Sequence, residues 1–199
     1  MPFQIRLYQP RDLDALYDIC LKTGHNGEDA TPHYRDPLLI GHFYAAPYGI
    51  FHPETCLVLE DAAGVCGYIV GVPDSVAFQA RTEAEWWPRL REQYPLPEPS
   101  DQSPDAGIIR LIHQGYQVKD EAETFPAHLH IDLLPRAQGG GNGKALMLAF
   151  LDLLRNQGVK GVHLGVSRAN PRAVGFYQKL GFQTFRENEY AFTMGMHLM

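Results

Sequence analysis

A glycine-rich stretch at residues 139–143 (GGGNG) lies between two apolar segments of the sequence. The apolar residues before it, 129–134, predict a strand, and those after it, 145–154, predict a helix. A loop with so few side chains exposes its backbone N–H groups at a helix N-terminus, where the helix dipole favours an anion. We therefore interpret this loop as a cradle for a pyrophosphate group.

The spacing of the cradle excludes two common phosphate-binding loops. A P-loop requires G-x-x-x-x-G-K-[ST], but Gln138 stands at its first glycine and Ala145 replaces the hydroxyl residue that would hold Mg²⁺. The Rossmann fingerprint G-x-G-x-x-G fits from no glycine of the stretch. The spacing that fits is Q/R-x-x-G-x-G, formed by Gln138, Gly141 and Gly143.

That spacing resembles motif A of the GNAT superfamily of acetyltransferases, which binds acetyl-coenzyme A (acetyl-CoA). Residues 170–182 have the spacing N-x-x-A-x-x-x-Y-x-K-x-G-F and resemble motif B of the same superfamily. Residues 5–16 look like its first strand and helix, and residues 58–71 look like its central hairpin. The two motifs together are specific, and the resemblance covers most of the chain except about residues 73–125.

The resemblance implies an α/β (α+β) chain with the GNAT fold. That fold has a mixed, mostly antiparallel central sheet with helices on both faces, and a splayed pair of parallel strands that binds acetyl-CoA. We expect a single domain over residues 1–199, with a divergent helical and loop segment at about 73–125. Apolar periodicity predicts strands over 3–8, 55–60, 65–71, 129–134, 162–166, 182–185 and 190–198, and helices over 10–21, 37–44, 83–94, 144–156 and 171–179. The four prolines of residues 95–104 predict an exposed loop.

Within the superfamily, the chain most resembles the acetyltransferase-like C-terminal domain of animal O-GlcNAcase. The similar features are residues 54–61 and 65–68, Phe125 before the cradle strand and Trp87 in the middle segment. In the animal domain the cradle glycines are largely absent, whereas they are present here. The resemblance therefore implies that this chain is a better candidate for cofactor binding than the animal domain.

The resemblance also implies which residues bind the cofactor. The pantetheine arm would pair with the backbone of the cradle strand at Ile131 and Leu133, with the phosphates over residues 139–144. Asn170 would contact the arm, cap the following helix, or do both. The family usually has an apolar residue where this chain has Asn142. The expected set is Ile131, Leu133, Leu134, Gln138, Gly139, Gly140, Gly141, Asn142, Gly143, Lys144, Asn170, Phe176 and Tyr177.

Tyr177 is the residue that we expect to act on the leaving group, because the matching tyrosine of the family often does so. Aminolysis of a thioester expels a thiolate. Free thiols have a pKa of about 8.5 and phenols of about 10, so a protonated phenol can donate to that thiolate. The alternative is a core aromatic packed beside Phe176 and Phe182.

The general base has several candidates in the sequence. Three polar residues alternate on one face of the cradle strand: His128, His130 and Asp132. Matching to the family places its bases nearer Ala127 and Leu129, which cannot accept a proton. A bulge in the strand would shift the register by one and bring His130 or Asp132 into place. Without it, the base would be a chain of waters or a residue elsewhere, such as Glu60, and the polar face would be only structural.

The acceptor pocket is expected from the early loops and the middle segment. Four residues after the first helix form either a cation-binding group or a solvated loop: His25, Glu28, Asp29 and His33. Four aromatic residues form either a wall over the groove or a satellite core: Trp86, Trp87, Tyr94 and Tyr116. No H-x-x-x-H helix or cysteine pair accompanies the histidines, so no metal site is predicted.

Composition narrows the class of protein. The net charge of −6 and the absence of any block of Lys or Arg give no indication of a nucleic-acid partner. No apolar run approaches the roughly 20 residues of a membrane span, and the first residues do not resemble a signal peptide. Three cysteines without a C-x-x-C pair favour a reducing, cytoplasmic setting, and Cys56 and Cys66 are expected to be core thiols. We expect a monomer, or a homodimer paired through the strands near residues 190–198.

Two functions follow from these residues. The first is an acetyl-CoA-dependent N-acetyltransferase, in which an amine attacks the thioester directly in a ternary complex. The second is a catalytically weak or inactive module that binds acetyl-CoA without turnover, as the unassigned base and the likeness to the O-GlcNAcase domain suggest. The acceptor is an amine or a basic peptide in the first case.

Overall fold

The computed structural model describes residues 3–198, which form a twisted sheet flanked by helices. The strands are β1 (Gln4–Leu7), β2 (Leu57–Asp61), β3 (Gly64–Val72), β4 (Ala127–Leu133), β5 (Gly161–Ser167), β6 (Gln183–Glu187) and β7 (Ala191–His197). The helices are α1 (Leu13–Thr23), α2 (Leu39–Tyr44), α3 (Ala46–Phe51), α4 (Ser75–Glu85), α5 (Trp87–Gln93), α6 (Pro104–Gln114), α7 (Glu121–Thr124), α8 (Asn142–Asn156) and α9 (Pro171–Leu180).

The sheet has the strand order β1-β2-β3-β4-β5-β7-β6. Every neighbouring pair is antiparallel except β4 and β5, which run parallel. This is the mixed, mostly antiparallel sheet that the resemblance implies, so the predicted fold class is confirmed. The single parallel pair follows from the helix α8, which carries the chain over the sheet between β4 and β5.

Helices cover both faces of the sheet, and the alternation of side chains along β3 shows which helices lie on which face. The Tyr68 side chain lies beside Cys20 of α1. A Cβ at Gly71 would instead meet Phe150 of α8 at 2.5 Å, so glycine is required there for α8 to pack closely on the sheet. Residues at odd and even positions point to opposite faces, so α1 and α8 enclose the sheet from two sides.

The strands β4 and β5 separate soon after they begin. They pair only at Ala127 with Val162 and at His128 with His163, and then diverge toward their carboxyl ends. Against β3, in contrast, β4 keeps a continuous register from His128 to Leu133. The bulge considered for β4 is therefore absent, and the register shift in this part of the sheet lies at Leu59 and Glu60 of β2.

The middle segment departs most from the sequence prediction. The single helix expected over 83–94 is two helices, α4 and α5, with a break at Trp86. Pro88 causes the break, because it has no N–H to donate to the preceding turn and therefore begins a new helix. The first part of α4, the whole of α6 and the short helix α3 were not predicted. The loop over residues 95–104 is confirmed except for its last residue, Pro104, which begins α6.

The apolar core contains Trp87 of the aromatic group and the cysteines of the chain. Trp87 is 1% exposed and stacks on Phe43, so the satellite-core alternative describes it better than a wall over the groove. Cys56 and Cys66 are buried and free, in agreement with the prediction of core thiols, and Cys20 is also buried and free. Among residues 3–198, no helix is long and apolar enough to cross a membrane.

Candidate active site

The divergence of β4 and β5 opens a cleft of about 1070 Å³. One end lies over the loop between β4 and α8, and the other reaches the loop after α1. The sides are formed by the exposed backbone of β4 and by the first turns of α9. A cleft between diverging strands offers free backbone groups along one wall, which suits an extended ligand.

The glycine loop has the geometry of an anion cradle. Gly139, Gly140 and Gly141 have φ values of 80°, 56° and 85°, a left-handed conformation that other residues adopt at a cost. Gly141 is the N-cap of α8, so the free N–H groups of the first helical turn point toward the space above the loop. No protein atom lies within 4 Å of a Cβ built on Gly139 or Gly141, which leaves that space open to a ligand.

Asn142 holds the loop from below. Its side-chain Nδ2 donates to the Ala137 carbonyl at 2.9 Å, and its backbone N–H donates to Gly139 at 3.3 Å. Asn142 does not line the cleft, although it was expected in the cofactor-binding set. The side chain at this position therefore supports the loop by hydrogen bonds, where the family usually has an apolar residue.

Gln138 connects the two walls of the cleft. Its Nε2 donates to the Leu133 carbonyl at 2.9 Å, and its Oε1 accepts from the Arg172 guanidinium at 2.7 Å. Arg172 and Lys144 both line this end of the cleft. The cradle end therefore combines free N–H groups with two cationic side chains, which together favour a polyanion.

The backbone of β4 explains which residues of this strand face the cleft. The Leu134 N–H donates to Cys66 on β3 at 2.8 Å, so the even-numbered residues of β4 direct their backbone groups toward β3. The odd-numbered ones, including Ile131 and Leu133, direct theirs toward the gap beside β5. Leu134 itself is buried and does not line the cleft, although it was expected in the cofactor-binding set.

The helix α9 positions Tyr177 and Phe176 in the cleft. Asn170 begins this helix, because its side chain accepts from the Ala173 N–H at 3.0 Å. Tyr177 is buried, and its hydroxyl makes no hydrogen bond with any residue in 3–198. Burial, with a smaller contribution from Asp132, raises its pKa, so the phenol stays protonated at neutral pH.

His130 and Asp132 face the same cleft from β4 although the strand has no bulge. Asp132 accepts a hydrogen bond from the Tyr68 hydroxyl at 2.6 Å, and burial raises the pKa of its carboxyl. Burial lowers the pKa of His130 to about 4, so its ring is neutral at physiological pH. Glu60 pairs with Arg6 at 2.9 Å and does not line the cleft, so it is not placed to act as a base there.

His128, the third polar residue of this strand face, is 3% exposed and does not line the cleft. It bonds Ser75 and Tyr48 instead, at 2.7 Å and 2.9 Å. Burial lowers its pKa well below the usual value of a histidine. His128 is therefore a neutral, internal member of a hydrogen-bonded group.

The loop after α1 closes the other end of the cleft. His25 and Glu28 line it, whereas Asp29 accepts from the Thr31 N–H and the His33 ring lies against His25. Sequence reasoning missed several lining residues, for which no motif gives a signal because they come from separate elements: Cys20, Thr23, Tyr34, Ile40, Tyr44 and Ile108. In the described part of the chain, no group of three His, Cys, Asp or Glu side chains is arranged to hold a metal ion.

Comparison with known proteins agrees with this geometry. The model of the acetyltransferase (GNAT) family matches residues 26–182, which is more than half of the chain. The crystal structure of SsHAT superposes with a TM-score of 0.93 and 41% identity, covering 99% of this chain and 98% of that chain. The structure of yncA from Salmonella typhimurium with its cofactor acetyl-CoA shares the fold, with a TM-score of 0.61 at 14% identity over 100% of this chain and 95% of that chain.

The expected likeness to O-GlcNAcase is also confirmed. Protein O-GlcNAcase of Rattus norvegicus is 29% identical over 182 residues, which are 90% of this chain and 20% of that protein. The chain thus spans about a fifth of the length of this relative. With motifs A and B placed on the two walls of one cleft and the family match extending over both, the chain belongs to the acetyltransferase (GNAT) family.

Proposed function

We propose that this chain is an acetyl-CoA-dependent N-acetyltransferase that transfers acetyl to a cationic amine by direct attack in a ternary complex. One observation carries the proposal. A single cleft runs from the glycine cradle, past Tyr177, to His130 and Asp132. A cofactor bound along it would have its phosphates at one end and its reactive group near an acid and two candidate bases.

The cradle fits the diphosphate of coenzyme A. Its three left-handed glycines keep side chains away from the space that a diphosphate would occupy. Lys144 and Arg172 add positive charge beside that space. The backbone groups of Ile131 and Leu133 face the gap beside β5, where an extended pantetheine arm could pair with them.

Acetyl-CoA, when bound, supplies an acetyl group activated as a thioester. Tyr177 would then donate its phenolic proton to the departing sulfur, for which its protonated state and its free hydroxyl suit it. Burial of Tyr177 beside Phe176 and Phe182 holds the ring in one place. A purely structural role as a core aromatic would explain the packing of the Tyr177 ring. It would not explain why the hydroxyl lies in the cleft without a hydrogen-bond partner.

The charges along the cleft indicate the class of acceptor. The cradle end carries Lys144 and Arg172, whereas the end nearer α1 carries Asp132 and Glu28. The carboxylate of Asp132 is half-buried, which makes its attraction for a cation stronger than that of an exposed group. We therefore expect the acceptor to be a primary amine that arrives as an ammonium ion.

The test combines binding with turnover. Calorimetry should show binding of acetyl-CoA by the full chain, and a thiol-release assay with a panel of amines and basic peptides should show acetyl transfer to a cationic member. Mass spectrometry of the product should show acetyl on nitrogen. Binding without transfer to any acceptor would instead support the module that only holds the cofactor. No coenzyme-A-dependent thermal shift would reject both functions.

A further inference from the structure

We propose that His130 accepts the proton of the acceptor amine through its Nδ1 atom, and that a buried relay of Ser75, His128 and Tyr48 fixes the His130 tautomer that makes this possible. The inference rests on the proposed function and deepens it by assigning the base. His130 would be catalytic, and the three relay members would be positioning residues, since they act through it.

The direction of the relay is set at its far end. The Ser75 hydroxyl lies 2.7 Å from the carbonyl oxygen of Pro126. Two oxygen atoms approach this closely only with a hydrogen between them, and a carbonyl has none to give. The single hydroxyl hydrogen of Ser75 therefore points at Pro126, and Ser75 is an acceptor toward its other neighbour, Nδ1 of His128, at 2.7 Å.

The remaining bonds follow from the number of hydrogens in each group. His128 is neutral, so the proton on Nδ1 leaves Nε2 as an acceptor. Tyr48 must then donate its one hydroxyl hydrogen to that nitrogen, across 2.9 Å. The Tyr48 oxygen in turn accepts from Nε2 of His130, across 3.2 Å.

His130 is thus left with a proton on Nε2 and a lone pair on Nδ1. Its ring is neutral because burial lowers its pKa. His130 lines the cleft, and within residues 3–198 its ring makes one hydrogen bond, from Nε2 to Tyr48, which leaves Nδ1 without a partner. The relay therefore presents an unprotonated ring nitrogen to the cleft, and it holds the opposite ring nitrogen through three buried residues.

Asp132 is less suited to this step. One of its oxygens already accepts a short hydrogen bond from Tyr68, and its carboxylate is the charge that would hold the arriving ammonium. A division of labour follows, in which Asp132 binds the acceptor and His130 takes its proton. The low basicity of His130 suffices, because the amine nitrogen becomes strongly acidic as it gains the acyl carbon.

His130 and Tyr177 together account for the protons that move during the transfer. The acceptor nitrogen loses one proton to water before attack and a second to His130 Nδ1 as the N–C bond forms and the C–S bond breaks. The electron pair of the broken bond goes to sulfur, to which Tyr177 supplies a proton. His130 then returns its proton through solvent to the Tyr177 phenolate, so that both side chains recover their starting states and one proton is released overall.

Nuclear magnetic resonance of the wild-type chain labelled with ¹⁵N-histidine tests the relay without any turnover. We expect His130 to show a protonated Nε2 and an unprotonated Nδ1 at neutral pH. In Ser75→Ala, the relay loses its terminal acceptor, and the proton of His130 should move toward Nδ1. An unprotonated Nε2 with a protonated Nδ1 in the wild-type protein would overturn the proposal.

Kinetics test the same relay by a second route. His130→Gln should lower kcat about 100-fold, in the range of a lost general base. Tyr48→Phe removes the acceptor of the His130 N–H and should lower kcat about 10-fold with little change in KM for acetyl-CoA. An unchanged kcat in Tyr48→Phe would contradict the proposal that the relay positions His130 for catalysis.

Tyr8→Phe provides the matched control. The Tyr8 ring is also buried and packs against Gly49 of the same helix as Tyr48, but it neither joins the relay nor lines the cleft. It should keep the wild-type kcat. If the wild-type chain transfers acetyl to no amine, the proposed function fails, while the tautomer of His130 still decides the relay.

Discussion

The two ends of the cleft are made in different ways. The cradle end comes from one continuous stretch, in which backbone conformation at Gly139, Gly140 and Gly141 forms the binding surface. The acceptor end comes from side chains on separate elements, with Tyr34 and Tyr44 before β2 and His130 on β4. The cradle end binds through backbone N–H groups, which every residue except proline has. The acceptor end binds through particular side chains, which the fold must bring together.

This difference suggests how the chain divides cofactor and acceptor recognition. A surface of backbone N–H groups binds a phosphate in any chain that adopts the same loop, so the cofactor end needs little besides the loop conformation. A surface of converging side chains depends on each residue and can change its specificity by substitution. Variants at the two ends should therefore differ in which kinetic constant they change.

The largest effect is expected between the two ends, at Tyr177. Tyr177→Phe should lower kcat about 100-fold, because the proton donor for the sulfur is lost. Its affinity for acetyl-CoA should stay within about twofold of wild type, since the Phe ring keeps the packing. The hydroxyl has no partner among the described residues, so thermal stability should not fall. Steady-state rates and calorimetry measure both constants, and an unchanged kcat would remove Tyr177 from the mechanism.

At the cradle end, Gly141→Ala should weaken acetyl-CoA binding about 30-fold by disturbing the left-handed N-cap. Gly158→Ala at the other end of α8 is the matched control, because Gly158 also has a positive φ and an added Cβ there would also meet no atom. Both variants should lose about 1 kcal/mol of unfolding free energy. Only Gly141→Ala should lose affinity in calorimetry. Equal affinity loss in both would indicate a general effect of α8.

At the acceptor end, Asp132→Asn should raise KM for a cationic amine about 10-fold and leave KM for acetyl-CoA unchanged, because the half-buried charge is lost while the bond from Tyr68 is kept. Glu28→Gln removes an exposed carboxylate from the same end, and its effect should be about twofold. Initial rates at varied amine concentration measure the difference. A larger increase of KM for the amine in Glu28→Gln than in Asp132→Asn would show that Glu28, and not Asp132, is the main binding charge for the amine.

The smallest effect is expected in stability against pH. His130 binds a proton below about pH 6.5 when unfolded but only below about 4 when folded. The unfolded state therefore gains protons first, and the unfolding free energy falls as the pH decreases from 6.5 to 4. His130→Gln should lose about 1 kcal/mol less unfolding free energy than wild type over this interval, a value reduced because the ring is only partly buried. Urea denaturation of both proteins at pH 7 and pH 4 measures this difference. Equal losses of unfolding free energy in the two proteins would contradict a lowered pKa of His130 in the folded state.

The sequence predicted the parts of the site whose signal is local. The cradle, its flanking strand and helix, and the position of Tyr177 on a short capped helix follow from residues close together in the chain. Leu134 and Asn142 are expected at the cofactor from the same stretch, but in the structure the Leu134 N–H donates to Cys66 and the Asn142 side chain donates to Ala137. The break at Trp86 also has a local cause, Pro88, although apolar periodicity predicts one helix across it.

By itself, the sequence determined the conformation of the cradle and the family to which the chain belongs, because glycine spacing acts on the backbone over a few residues. Tertiary structure alone decided which of His128, His130 and Asp132 reaches the cleft and how His130 is held. Tyr48, Ser75 and His128 are far apart in the chain and meet only when α3 and α4 pack on the sheet. Such contacts depend on long-range packing, for which no local pattern of residues gives a signal.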